Sequence, residues 1–282
     1  MGSPRRAAVL GSPIEHSLSP VLHGAAYREL GLGDWVFERV LCTAEELPGF
    51  VDGLGPEWAG LAVTMPGKRA ALAYATERTR VAELVGAANT LVPRASGGWL
   101  ADCTDVEGVV GSLAAAGGVE AGGRAVVLGA GGTATAALTA LEALKIPSAT
   151  IVVRDPARAG EALSCAGRVG VEVDVLRWDD VDFAAVCGGA DLVVSTVPVG
   201  AVEPVAGDIV RAGCVFDVIY HPWPTPLAQA ASDRGTRVVT GLDMLLHQAF
   251  AQVRWFTGLE APREAMRAAL RQATGTELSL PV

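Results

Sequence analysis

A small set of polar side chains stands at the ends of otherwise apolar segments in the first hundred or so residues. They are Ser17 and Ser19, Thr64 and Lys68, Asn89 and Thr90, and the run from Asp102 to Asp105. Gathered at one sheet edge, two hydroxyls, an amide, an ammonium and a carboxylate could hold a small polyhydroxylated acid. Each also has a plainer explanation. Ser19 and Asp105 can be helix caps, Thr64 a β-former, Lys68 a solvated first-turn lysine and Asn89 a turn residue, since caps and turns favour these types. A different chemistry is written in residues 126–134, Val-Val-Leu-Gly-Ala-Gly-Gly-Thr-Ala. There an apolar strand runs into a Gly-x-Gly-x-x-Ala turn that opens an Ala/Leu-rich helix, the fingerprint of a dinucleotide site. The first glycine allows the tight turn, the second lets backbone approach a pyrophosphate, and the helix N-terminus offers N–H groups to the phosphates.

These groups need a scaffold, and the apolar spacing supplies one. Residues 7–11 read as a buried strand broken at Gly11-Ser12-Pro13. Pro20 suits the first turn of a helix capped by Ser19 and running to about Leu30. A second strand covers 35–41, Thr43 and Glu46 form a capping box, and a third strand over 60–64 ends at Met65-Pro66-Gly67-Lys68. Helical sequence continues to about Val85, and Gly97-Gly98 marks a hairpin turn. The β-α-β-α-β order predicts a largely parallel sheet with ligand groups at the carboxyl ends of its strands. Past Asp102 a helix over 106–116 leads into strands at 125–129, 149–153, 171–176, 191–195, 214–218 and 236–239, a full Rossmann count. After Gly241 two helices, 244–257 and 262–274, have no strand beside them and are expected to pack back on the first domain. The fold class is α/β: an N-terminal substrate-binding catalytic domain (1–101 with 241–282) with a mostly parallel sheet, and a Rossmann dinucleotide-binding domain (102–240). The substrate is expected in a cleft between them.

With 282 residues, half of them hydrophobic, the chain can build two cores. Its 22 basic and 31 acidic residues give a net charge of −9 without a basic run, which argues against nucleic acid or a membrane surface as partner. Cysteines 42, 103, 165, 187 and 214 are scattered and never spaced Cys-x-x-Cys. Reduced thiols in a cytoplasmic protein, and no metal site, are the expectation. The start, Met-Gly-Ser-Pro-Arg-Arg, lacks the apolar core of a signal peptide, and the most apolar stretch, 125–141, is too short to span a bilayer.

Taken together, several blocks resemble the shikimate dehydrogenase family. They are Gly11-Ser-Pro-Ile-Glu-His-Ser17-Leu-Ser19-Pro20, Val63-Thr64-Met-Pro-Gly-Lys68, Gly86-Ala-Ala-Asn89-Thr90, Asp102-Cys-Thr-Asp105 and the glycine turn at 129–133. Tyr220 ahead of Pro222-Trp-Pro-Thr-Pro-Leu227, and Gly241-Leu-Asp-Met-Leu-Leu-His-Gln248-Ala249, complete the set. The blocks fall in family order and cover almost the whole chain. The resemblance implies that Ser17 and Ser19 hold the carboxylate of shikimate. Thr64, Asn89, Asp105 and Gln248 would bond its ring hydroxyls, and Tyr220 would close the pocket. It implies Lys68 and Asp105 as the catalytic pair, and cofactor contacts from Gly129, Ala130, Gly131, Gly132, Thr133, Val218 and Gly241. The implied reaction is the reversible NADPH-dependent reduction of 3-dehydroshikimate in aromatic amino acid biosynthesis, with a homodimer as one candidate assembly. Reducing a ketone by hydride builds charge on its oxygen, which a positioned ammonium stabilises and protonates. Three positions depart from the commonest family pattern: Ala62 where an Asn often stands, Gly67 where Phe or His often precedes the lysine, and Cys103 with Val106 in the Asp-Asn-Thr-Asp-Gly segment.

The end of the second Rossmann strand chooses the cofactor. An acid there binds a ribose 2′-hydroxyl, whereas basic residues accept a 2′-phosphate. The chain has Arg154-Asp155-Pro156-Ala157-Arg158. Two guanidiniums suit a phosphate dianion, and Asp155 before Pro156 suits a helix cap. NADP is therefore expected, with an NAD-preferring quinate/shikimate dehydrogenase as the alternative, supported by Asp155 alone.

Overall fold

The structure is a computed structural model that describes residues 4–276, 278 and 280–282. The chain folds as two units, Met1–Thr104 with Leu245–Leu280, and Asp105–Met244.

The first unit is built on six strands: β1 (Arg5–Gly11), β2 (Trp35–Leu41), β3 (Trp58–Val63), β4 (Glu77–Arg78), β5 (Thr90–Pro93) and β6 (Trp99–Asp102). Their order in the sheet is β2-β1-β3-β5-β6-β4. β1 runs parallel to β2 and β3, and β4 to β6, but β5 is antiparallel to both its neighbours. The sheet is thus mostly parallel, as expected, with the antiparallel β5 as its exception. The cause is local. Gly97 and Gly98 take φ of 91° and 77°, values open to glycine, and the Arg94 N–H bonds the Gly98 carbonyl at 3.0 Å, closing a β5–β6 hairpin. Ala8, Leu10, Leu61, Val63, Leu91 and Ala101 form the buried face of this sheet.

The helix Ser19–Glu29 carries Pro20 in its first turn, as expected, but Ser19 is not its cap. Leu18 holds the cap position, with no side-chain bond there, and Ser19 is already helical. The box at Thr43 and Glu46 does close reciprocally, the Thr43 N–H reaching Glu46 Oε2 at 2.9 Å and the Glu46 N–H reaching Thr43 Oγ1 at 3.4 Å. The two late helices are Gly241–Thr257 and Arg263–Thr274, and the second packs on Ser19–Glu29. From Leu245 onward these helices belong to the first unit, which makes it discontinuous in sequence.

In the second unit, β7 (Arg124–Leu128), β8 (Ser148–Val153), β9 (Glu172–Arg177), β10 (Leu192–Ser195), β11 (Cys214–Asp217) and β12 (Arg237–Thr240) form a sheet of order β12-β11-β10-β7-β8-β9. Every neighbouring pair is parallel. Counted from β7, this is the 3-2-1-4-5-6 order of a doubly wound sheet, whose ligand crevice opens beyond the carboxyl ends at the switch between β7 and β10.

Candidate active site

In the first unit the polar groups lie where β1, β3 and β5 meet. The Thr64 N–H bonds the Leu10 carbonyl at 2.8 Å and the Ser12 N–H bonds the Met65 carbonyl at 3.0 Å, which ties the end of β1 to the segment after β3. Gly11 is required for that approach, because a Cβ on it would stand 2.4 Å from Thr64 Cγ2. Lys68 opens the helix Lys68–Tyr74, and its carbonyl accepts the Ala88 N–H at 2.9 Å, bringing the lysine turn beside Asn89. The departure at Gly67 has a packing reason, since a Cβ there would lie 2.9 Å from Val63 Cγ1.

The serine loop is pinned from outside. Arg39 Nε and Nη2 donate to the Ser17 carbonyl at 2.9 and 2.6 Å. The Ser17 hydroxyl donates to Ser19 Oγ at 3.3 Å, and the Ser19 N–H returns to Ser17 Oγ at 3.3 Å. Both hydroxyls thus face one another at the start of a helix, a place suited to an anion. Arg39 carried no motif, and its role follows only from the pairing of β2 with β1.

Asn89, Thr90, Thr104 and Gln248 form a buried polar cluster drawn from three separated segments. Asn89 Oδ1 accepts the Thr104 N–H at 2.8 Å and the Thr90 hydroxyl at 2.9 Å, while Asn89 Nδ2 donates to Thr104 Oγ1 at 3.0 Å and Gln248 Oε1 at 3.3 Å. Gln248 is 6% exposed, which disposes of a surface role for it. Asp102, by contrast, is held by Thr79 Oγ1 at 2.5 Å and Trp255 Nε1 at 2.8 Å, so it is an anchor of this unit. Burying so many polar atoms is costly unless each finds a partner, and a helix contributed from residue 248 supplies what the local chain lacks.

In the second unit Asp105 is the first residue of the helix Asp105–Ala116 and is buried. Tyr220 follows β11, and burial raises its phenol above the ordinary range. Its loop is anchored by Asp217, which accepts the Thr225 hydroxyl at 2.6 Å and the Ile219 N–H at 3.2 Å. Gly241 has no room for a side chain, because a Cβ would fall 2.1 Å from the Val218 carbonyl.

The glycine turn divides its labour. Gly129 takes φ of 103°, and a Cβ there would meet Thr196 Oγ1 at 2.5 Å, so this glycine serves the chain itself. Gly131 and Gly132, at the start of the helix Gly132–Ala143, have open space where a Cβ would be. That opening beside Ala130 and Thr133 fits a pyrophosphate drawn against backbone. Asp155 caps the turn Pro156–Ala159, accepting the Ala157 N–H at 3.0 Å on Oδ1. It is committed to the chain, whereas Arg154 and Arg158 remain exposed at the end of β8.

A Rossmann sheet with an open glycine turn, joined in one chain to an α/β unit holding buried amides and hydroxyls, defines a class: the two-domain dinucleotide-dependent oxidoreductases. Residues 9–91 match the shikimate dehydrogenase substrate binding domain, and 241–271 match the shikimate 5′-dehydrogenase C-terminal domain. The shikimate dehydrogenase (NADP(+)) of Moorella thermoacetica is 37% identical over 284 residues, spanning 97% of this chain and 95% of that protein. The crystal structure of Mycobacterium tuberculosis shikimate dehydrogenase superposes with a TM-score of 0.90 at 51% identity, covering 95% of this chain and 100% of that one. A shikimate 5-dehydrogenase from Thermus thermophilus, solved in complex with NADP(H) and shikimate, superposes with a TM-score of 0.78 at 31% identity, covering 95% and 99%. The chain belongs to the shikimate dehydrogenase family.

Proposed function

We propose that this protein catalyses the reversible NADPH-dependent reduction of 3-dehydroshikimate to shikimate. The observation that carries it is the buried Asn89–Thr104–Gln248 cluster beside the Lys68 turn, an array matched to a small acid bearing several hydroxyls. Ser17 and Ser19 receive the carboxylate, and Thr64, Asn89 and Gln248 bond the ring hydroxyls. Bound NADPH supplies the hydride. The Lys68 ammonium stabilises the charge that builds on the carbonyl oxygen and delivers a proton to it. Asp105 takes part in this pair as the carboxylate that balances the ammonium, and Tyr220 borders the substrate. Gly129, Ala130, Gly131, Gly132 and Thr133 cradle the pyrophosphate, Val218 and Gly241 line the cofactor's path, and Arg154 with Arg158 receives the 2′-phosphate. The NAD-preferring quinate alternative loses its one support, because Asp155 is engaged as a cap.

The proposal extends to a cytoplasmic location, in keeping with five free, buried cysteines, and to a homodimer, which sedimentation equilibrium tests. No helix among the described residues is long and apolar enough to cross a membrane. Initial rates with shikimate and quinate, each with NADP and NAD, test the activity. Shikimate with NADP should far exceed the other three combinations, and quinate turnover with NAD would overturn the assignment.

A further inference from the structure

Behind the Asn89 cluster the polar chain continues inward. Gln252 is 1% exposed and lies one helical turn beyond Gln248, and His23 is fully buried. Gln252 Nε2 donates to the Asn89 carbonyl at 3.2 Å and to Thr90 Oγ1 at 3.0 Å, while Gln252 Oε1 faces His23 Nε2 at 3.4 Å. The His23 ring stacks on Phe37 with centroids 4.0 Å apart, and its Nδ1 has no hydrogen-bond partner among the described residues. Burial pushes the imidazole down to about 3, so the ring is neutral and has a single N–H to give.

The donor and acceptor inventory then constrains the bonds from His23 to Asn89. An amide oxygen can only accept, so the His23 proton sits on Nε2 and points at Gln252 Oε1. That turns the Gln252 NH2 toward the Asn89 carbonyl, an obligate acceptor, and toward Thr90 Oγ1. Thr90, accepting from Gln252, is left to donate its own hydrogen to Asn89 Oδ1. With Oδ1 facing Thr90 and the Thr104 N–H, Asn89 must turn Nδ2 toward Thr104 and Gln248. Reversing Gln252 would set its oxygen against the Asn89 carbonyl, an uncompensated buried clash of two acceptors.

We propose that His23 and Gln252 are positioning residues for substrate recognition, a buried relay that, together with the Thr104 N–H, holds Asn89 and Thr90 in place within the polar cluster that meets the substrate. This rests on the proposed shikimate reading of the site. His23→Phe is the informative substitution: it keeps a ring on Phe37 and removes both the Nε2–H and the unpartnered Nδ1. Gln252→Leu removes the relay's central amide.

Steady-state kinetics of the full chain with shikimate and NADP give the test, with circular dichroism and thermal melts as a check on folding. The expected result is a rise of about tenfold in the shikimate KM for either variant, from the loss of an oriented buried hydrogen bond, with the NADP KM unchanged. In an Asn89→Ala background, His23→Phe should add nothing further to the shikimate KM, since its effect passes through Asn89. An unchanged shikimate KM in folded His23→Phe, or a full additional rise in the Asn89→Ala background, overturns the relay. If Gln252→Leu does not fold, His23→Phe with its double variant still decides. Absence of shikimate turnover by the unmodified protein defeats the functional reading instead, an outcome distinct from active variants with an unaltered KM.

Discussion

The two units solve the problem of binding in opposite ways. The Rossmann unit recognises with backbone. Its decisive residues are glycines, one of them strained into φ of 103° and two left with open space at a helix start. The first unit recognises with side chains, a cluster assembled from β5, the segment after β6, and a helix that begins at residue 241. A backbone site can be compressed into one contiguous motif, because the groups that bind are consecutive peptide N–H groups. A side-chain site has no such economy. Its members must come from separate segments, since a buried amide needs partners that a single strand cannot provide.

The contrast can be broken most forcefully at Lys68. Lys68→Ala should lower kcat by roughly 10²–10⁴, the range for loss of a positioned general acid, with little change in KM. A large rise in KM at preserved kcat would assign the lysine to binding. The backbone side is sharpened by paired substitutions. Gly129→Ala forces a positive φ on a side chain that also meets Thr196, and should cost about 1–3 kcal/mol of stability. Gly131→Ala meets no atom of the protein, so its melting temperature should hold while the KM for NADP rises. Equal loss of stability in both would show that the second glycine serves the fold and not a ligand.

A smaller effect separates charge from capping. Asp155→Ala should lower stability by about 0.5–2 kcal/mol, as for a lost N-cap, and leave the NADP-over-NAD preference of kcat/KM in place. A collapse of discrimination would return Asp155 to the ribose. The mildest expectation concerns pH. Burial holds His23 at about 3 and His247 at about 4, against 6.5 for an exposed imidazole. The unfolded chain therefore takes up these protons first, so stability is whole above about pH 6.5 and is lost as pH falls toward 4. Melting temperature against pH should show this decline, and His23→Phe should reduce its slope by up to about one bound proton. An unaltered slope would mean that His23 is already protonated in the folded chain.

Legibility followed the same division. The glycine turn, the six-strand count of the Rossmann sheet and the Asp155 cap could be read from residues 124–240, because each depends on local spacing. The capping box at Thr43 and Glu46 was legible for the same reason. Ser19 reads as a cap in sequence and is not one, since a serine before proline does not reveal that Leu18 already occupies the cap position. The Gly97-Gly98 turn signalled the antiparallel β5–β6 hairpin, whereas the pairing of β5 with β3 escaped sequence reasoning because sheet order depends on which segments meet. Gln252 had a faint signal, four residues after Gln248 on one helix face, yet nothing local distinguished it from a solvated glutamine.

The sequence by itself determined the periodicities, the turns and the dinucleotide fingerprint, and its ordered blocks carried the family resemblance. All but the last are encoded by neighbours within a turn or two of chain. Tertiary structure alone decided which polar atoms share a buried space. Only there does Asn89 meet a glutamine 159 positions away and Arg39 clamp the Ser17 carbonyl. The reason is energetic. A buried donor or acceptor is tolerated only when paired, and packing brings its partner from wherever the fold has placed one.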